Sequence, residues 1–363
     1  MNIGILTFNS TSNFGAELQA YALQQIILER GHHCEIIRYE CPEIKRAHDP
    51  KRAFKSKNLK LFFAPLLYYI YKGRMDSFAR FEKSYCVLSD RCDSTSIKEL
   101  SKKYDRIIVG SDQVWNPDIT GADLTFFLDF VDDPKKKCSY AASIGTDYFP
   151  GDCNEYEELI SKFSIISVRE QKTANCLRRQ INRQDISCDA DPTILLCNKW
   201  TEFVHAADES DDYIFLYFTP NNIRFIRAVK EFAAMNNCKI ILLTKGLQKY
   251  FGVKSISNIS PIDFINYIAH AKYVITGSFH ALCFSIMLKK EFYVTSAPEK
   301  ERSGRLIQFL SNLGLENRVV STENPELITN KYDFEKAYKE INKLRQESLL
   351  TIDKILDEKT DEI

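Results

Sequence analysis

Short apolar runs alternate with amphipathic stretches along most of the chain, and the alternation predicts a succession of strands and helices. Residues 3–8 (IGILTF) form an apolar run of strand length, and residues 9–17 (NSTSNFGAE) form a polar loop. From 18 to 31 apolar residues recur at helical spacing as far as Gly31, a residue suited to end a helix. Residues 34–39 (CEIIRY) return to strand character. Strand, helix, strand is a βαβ unit, and such units build parallel sheets. The same order recurs at 104–116, 136–145 and 163–170, and a second series starts at 212–219. That series continues with a helix near 222–236, a strand at 238–244, a helix at 261–271 and a strand at 273–277.

The pattern predicts an α/β protein of two Rossmann-like domains, with parallel sheets flanking a cleft. The expected division is 1–165, 166–330 and a C-terminal docking helix over 331–363. That helix is marked by Phe334, Ala337, Ile341, Leu344, Ser348, Ile352 and Ile355 at steps of three and four. Within the first domain, residues 44–83 hold eleven Lys/Arg against three acidic residues around an aromatic run. This insert reads as a helical hairpin with solvated cations, or as a surface that meets anionic lipid.

Composition narrows the functional classes. A length of 363 residues fits two domains, and 49 basic against 49 acidic residues leaves no overall basic footprint for nucleic acid. No stretch approaches the ~18 apolar residues of a membrane-spanning helix, and the first ten residues lack a secretory pattern. Eleven cysteines occur without CxxC spacing, so no metal or iron–sulfur pattern is present, and scattered free thiols fit a cytoplasmic chain.

In doubly wound sheets ligands bind outside the carboxyl ends of the strands, so the loops there are the candidates for chemistry. VGSDQVWNP (109–117) places Asp112 and Gln113 after a strand, as hydroxyl-binding groups or as parts of an Asx-type turn. The loop before the first helix carries Asn13 and Gly15, and helix starts attract anions; it matches neither GxGxxG nor a P-loop. Arg169 ends the strand at 163–170 and is either a fork for phosphate or carboxylate or one side of an ion pair. Arg305 lies in a loop that starts a helix. His280 follows Gly277 and Ser278 at a strand-to-helix junction, where it is either a core histidine or a proton-transfer group.

Taken as an ordered set, these stretches resemble the polysaccharide pyruvyl transferase family. The resemblance rests on SNFGAELQAYAL (12–23), IIVGSDQVWNP (107–117), SYAASIG (139–145), ISVRE (166–170), DADPTILL (189–196), ITGSFHALCFSIMLKKEFYV (275–294) and SGRLIQFLSNLGLENR (303–318). It implies a glycosyltransferase-B-like fold and transfer of pyruvate from phosphoenolpyruvate onto two hydroxyls of a glycan sugar, with release of phosphate. By resemblance His280 falls on the family's motif histidine and Arg169 on its motif arginine; the chemistry so implied makes His280 and Asp112 the catalytic candidates, and Arg169, Arg305, Ser278, Asn13, Gly15 and Gln113 the candidates for substrate. The family often has Asp where this chain has Gly277, so another group, Asp112 or Asp191, is expected to orient His280. No metal or cofactor is implied; the partners are phosphoenolpyruvate and a glycan or lipid-linked oligosaccharide, with peripheral contact at the inner membrane face. The rival enzyme reading is a nucleotide-sugar glycosyltransferase on the same architecture.

Overall fold

The computed structural model describes residues 1–9, 11–49, 64–145, 154–206, 212–217, 219, 222–244, 248–296, 301–321, 323, 325–327 and 333–357. For residues 64–67, 198, 296 and 301–305 it describes the backbone alone. The chain divides into two compact units: Met1–Asp49 with Phe78–Leu196 and Lys343–Ile363, and Pro50–Ser77 with Cys197–Asn342.

The first unit is organised by strands β1 (Asn2–Leu6), β2 (His33–Tyr39), β3 (Leu88–Cys92), β4 (Arg106–Val109) and β5 (Lys137–Ser139). They form one sheet in the order β3-β2-β1-β4-β5, parallel throughout. Its helices are α1 (Phe14–Glu29), α2 (Pro42–Ala47), the part of α3 (Ala64–Tyr85) from Phe78 onward, α4 (Ile97–Ser101) and α5 (Pro117–Thr120), then α6 (Asn154–Ser161), α7 (Gln171–Gln180) and α8 (Pro192–Leu195). Strands β6 (Ser167–Val168) and β7 (Ser187–Cys188) form a separate parallel pair. Strand β1 is buried from Ile3 to Leu6, as its apolar run requires, and packs in a core that includes Tyr104, Trp115 and Phe126.

Among its described residues the second unit has six strands: β8 (Tyr213–Tyr217), β9 (Lys239–Leu243), β10 (Lys254–Ile256), β11 (Tyr273–Thr276), β12 (Glu291–Ser296) and β13 (Val319–Ser321). They too are all parallel, in the order β10-β9-β8-β11-β12-β13. Its helices are α9 (Ile223–Met235), α10 (Pro261–His270), α11 (Phe279–Met287) and α12 (Glu301–Asn312), with α3 as far as Ser77 and α13 (Phe334–Ile355) as far as Asn342. Two parallel Rossmann-like sheets, each with its own helices, give the expected fold class.

Three boundaries differ from the sequence expectation. Helix α1 begins at Phe14 rather than near 18, because Asn13 caps it by accepting from the Gly15 amide at 3.1 Å. The first unit runs on to Leu196 rather than stopping near 165. Isolated bridges from Asp112 to Ala142 and from Ala142 to Val168 carry the ladder from the end of β4 into β6. The C-terminal helix buries Ala337, Ile341, Ser348, Ile352 and Ile355, the face its spacing predicts. From Lys343 onward it is part of the first unit, since Ser348 Oγ accepts from the Ala190 amide at 2.8 Å and Thr351 Oγ1 donates to Asp189 at 3.1 Å. Within the expected insert, α2 and α3 are helical, and residues 50–63 lie outside the described ones.

Among the described residues no helix is long and apolar enough to cross a membrane, and no group of three or more His, Cys, Asp or Glu could hold a metal ion.

Candidate active site

The candidate residues of the first unit gather beyond the carboxyl ends of β1 and β4. Strand β4 ends at Val109 and Gly110 follows with φ +110°; a Cβ there would run into the Tyr140 carbonyl oxygen, so only glycine fits. Ser111 is fully enclosed. Its hydroxyl donates to the Ala141 carbonyl at 3.0 Å and toward Asp191 at 3.3 Å, and its amide donates to Gln19 Oε1 at 3.1 Å. Asp112 sits at φ +69° and is pinned by its neighbours: its carbonyl accepts from the Ser143 amide at 2.9 Å and its carboxylate from the Gln113 amide at 2.9 Å. Gln113 Oε1 accepts from Asn116 Nδ2 at 3.0 Å, so part of that amide is engaged within the loop.

Arg169 is the centre of this cluster. It leaves the end of β6 with its side chain only 8% exposed and meets three carboxylates: Asp191 at 3.0 Å, Glu170 at 3.3 Å and Asp112 at 3.7 Å. Burial pushes the guanidinium pKa down, but Glu170, Asp112 and Asp191 push it up by more, so the net shift is upward. Glu170 also accepts from Ser143 Oγ at 2.9 Å, and Asp191 caps α8 by accepting from the Thr193 amide at 3.1 Å. A guanidinium that already pairs with three carboxylates is not an open receptor for phosphate. The sequence alternative of an ion pair describes what Arg169 does in this structure, with three partners instead of one and in a buried setting.

At the start of α1 the Asn13 side chain occupies the Gly15 amide. One turn further in, Glu17 is buried; its Oε1 accepts from the Thr11 amide at 2.9 Å and the Thr11 hydroxyl at 3.3 Å. Burial, then the charge and hydrogen bond of Glu82 on α3, raise the Glu17 pKa well above the usual carboxyl range, against the lowering effect of Thr11. The shift favours the neutral form of Glu17, which offsets the positive end of the α1 dipole less than a carboxylate would. Sequence reasoning missed this residue because its partner Glu82 is distant in the chain.

In the second unit β11 ends at Thr276, whose hydroxyl donates to the Tyr217 carbonyl at 2.7 Å and accepts from the Ser278 amide at 3.0 Å. Ser278 caps α11, accepting from the Ala281 amide at 3.4 Å. His280 is the second residue of that helix, 9% exposed, with Phe279 edge-on at 5.6 Å and Phe309 against Phe279 at 5.3 Å. Helix α11 is buried from His280 to Met287, so the histidine stands at the end of a rigid core helix.

Asp112, Gln113, Arg169, Asn13 and Gly15 thus belong to the first unit, and Ser278 and His280 to the second. Asp112 and Arg169 are in direct contact. Asp112 and Asp191, the expected partners of His280, are both in the first unit, where Arg169 engages them. The Arg305 side chain lies outside the described ones.

The family described as Polysaccharide pyruvyl transferase matches this chain over residues 13–296. A search of curated proteins found no match. Among solved structures, the UDP-GlcNAc 2-epimerase of Methanocaldococcus jannaschii is similar with a TM-score of 0.52 and 11% identity, covering 94% of this chain and 92% of its own. The UDP-N-acetylglucosamine 2-epimerase of Rickettsia bellii is similar with a TM-score of 0.55 and 9% identity, covering 96% and 95%. An alpha-glucosyltransferase in complex with UDP and DNA is similar with a TM-score of 0.50 and 8% identity, covering 96% and 90%. At these identities the likeness shows a shared glycosyltransferase-B-like fold.

Proposed function

The chain belongs to the polysaccharide pyruvyl transferase family, and from that premise we propose that it transfers pyruvate from phosphoenolpyruvate onto two hydroxyls of a glycan sugar as a ketal, releasing phosphate. The observation that supports this reading best is His280, held in the first turn of α11 just beyond the carboxyl end of β11. Addition at the donor's C2 needs a proton delivered to its methylene carbon and one removed from a sugar hydroxyl. Phosphate departure then leaves an oxocarbenium-like carbon, which the second hydroxyl captures. An imidazole both gives and takes protons near neutrality, which suits it to either transfer.

Asp112 is proposed to position or deprotonate an acceptor hydroxyl. Its contact with Arg169 and its fixed backbone give it one orientation. We assign Arg169 first to holding Asp112 and Asp191, and to the donor anion only when one carboxylate yields. The amides at the starts of α1 and α11, with Asn13, Gly15, Ser278, Gln113 and Arg305, are proposed to receive the donor and the sugar. The family implies a glycan acceptor; a lipid-linked oligosaccharide, met at the inner membrane face, is the form proposed here.

Incubation with phosphoenolpyruvate and candidate glycans tests the reading by acceptor-dependent phosphate release and ketal formation on the sugar. The fold likeness to proteins whose descriptions name UDP or UDP-sugars supports the rival, a nucleotide-sugar glycosyltransferase. Release of nucleotide from a sugar donor, with phosphoenolpyruvate left intact, would overturn the pyruvyl assignment.

A further inference from the structure

The chain is electrically balanced as a whole, but residues 222–254 carry seven Lys/Arg and a single acidic residue, Glu231. The same stretch holds the three most exposed large hydrophobic side chains among the described residues: Phe251 at 95%, Ile223 at 76% and Met235 at 75%. Their coincidence with the cations sets this surface apart, because singly exposed apolar residues are ordinary.

Helix α9 explains the arrangement. Its inner face, Phe225, Ile226, Val229, Phe232 and Ala233, is buried in the second unit's core. At 3.6 residues per turn the opposite face carries Ile223, Arg227, Lys230 and Ala234 in one line. Lys230 Nζ lies 6.0 Å from the centre of the Phe251 ring, which joins the loop after β9 to this line. Residues 250–253 are held in place: Tyr250 packs on the core, the Val253 amide donates to the Tyr250 carbonyl at 3.1 Å, and Gly252 turns the chain at φ +71°. Phe251 is therefore held outward with a cation beside it.

We propose that the outer face of α9, with the Phe251 loop, is a docking surface for a bilayer bearing anionic lipid. Apolar tips interleaved with Lys and Arg match the boundary between acyl chains and negative headgroups, where the rings and the cations are each satisfied. Helix α9 follows β8, and β8 pairs with β11, whose continuation carries Ser278 and His280. Membrane contact here would bring a lipid-anchored glycan to the second unit, which carries His280, a consequence that rests on the proposed function; the lipid contact itself does not.

Flotation of the full chain with vesicles of phosphatidylcholine, alone or mixed with phosphatidylglycerol, tests the proposal. Binding is expected to the mixed vesicles only, and to fall as salt rises. Phe251→Ser should weaken it about tenfold, and Arg227→Glu with Lys230→Glu on the order of 10²-fold, while Lys98→Glu in the first unit leaves it unchanged. Absence of wild-type binding, equal binding to neutral vesicles, or full binding by the α9 and Phe251 variants would each overturn it. Concentration-dependent self-association that Phe251→Ser abolishes without vesicles would assign the face to a second copy and overturn it too. Phosphate release from phosphoenolpyruvate is a separate readout, so failure of either reading is distinguishable from failure of the other.

Discussion

Replacing Arg169 with methionine keeps most of the stem volume and removes the charge that three carboxylates face. The side chains of Arg169, Asp112 and Asp191 are all nearly enclosed, so solvent does little to screen the loss. Breaking a buried ion pair from one side costs about 3–5 kcal/mol, against at most about 1 kcal/mol for a surface pair. For a unit of this size that corresponds to a fall in melting temperature of roughly 6–20 °C. Arg169→Lys, which keeps the charge and loses the fork, should fall between wild type and methionine. The guanidinium's upward shift means its own contribution is present across the whole accessible pH range. The deficit of the methionine variant should therefore be present at neutral and at alkaline pH alike. Thermal unfolding of the three proteins across pH measures this. A methionine variant that melts with wild type but no longer binds phosphoenolpyruvate would refute the buried-hub reasoning and return Arg169 to the role of an open phosphate fork.

Three other substitutions probe separate parts of the argument. His280→Gln should lose about 10²–10⁴-fold in turnover while keeping its melting temperature; an unchanged rate in the phosphate-release assay would remove His280 from the chemistry. Glu17 has a raised pKa in the folded chain, so its contribution to stability is full below the ordinary carboxyl value of 4.5 and is lost as pH rises through the folded value. Glu17→Gln keeps the acceptor for Thr11 without needing a proton, so its stability relative to wild type should rise with pH; parallel melting curves would contradict this. Ser348→Ala leaves the buried Ala190 amide without its 2.8 Å acceptor and should cost about 1–3 kcal/mol in denaturant unfolding. An unaltered midpoint there would mean that the Ser348 hydrogen bond does not help to dock the C-terminal helix.

Much of the fold was legible because the apolar runs of β1, β2, β8, β9 and β11 have the length and continuity of strands buried on both faces. The short strands were legible only in part. The run 163–170 reads as a strand, but Ser167 and Val168 alone form β6, because Ala142 and Ser187 offer partners there, and Glu291–Ser296 looks in sequence like the tail of a motif. Strand pairing is a property of two segments, so one segment cannot announce it. The start of α1 was misplaced for a smaller reason: an asparagine cap moved it four residues upstream of the first periodic leucine.

For the candidate site the division is similar. The sequence by itself determined which residue types stand at the ends of which strands: His280 after β11, Asp112 after β4, Arg169 after β6. Those positions follow from apolar periodicity, which local chemistry sets. It also allowed Arg169 two roles, a fork for an anion or a member of an ion pair, and nothing within SVREQ chooses between them. The tertiary structure decided that three carboxylates, from residues 112, 170 and 191, converge on that one guanidinium. It likewise decided that Glu17 and Glu82 meet in a buried place that favours the neutral acid. Both outcomes depend on Coulomb and desolvation energies, which vary with separation and burial in space. Neither quantity is a function of distance along the chain.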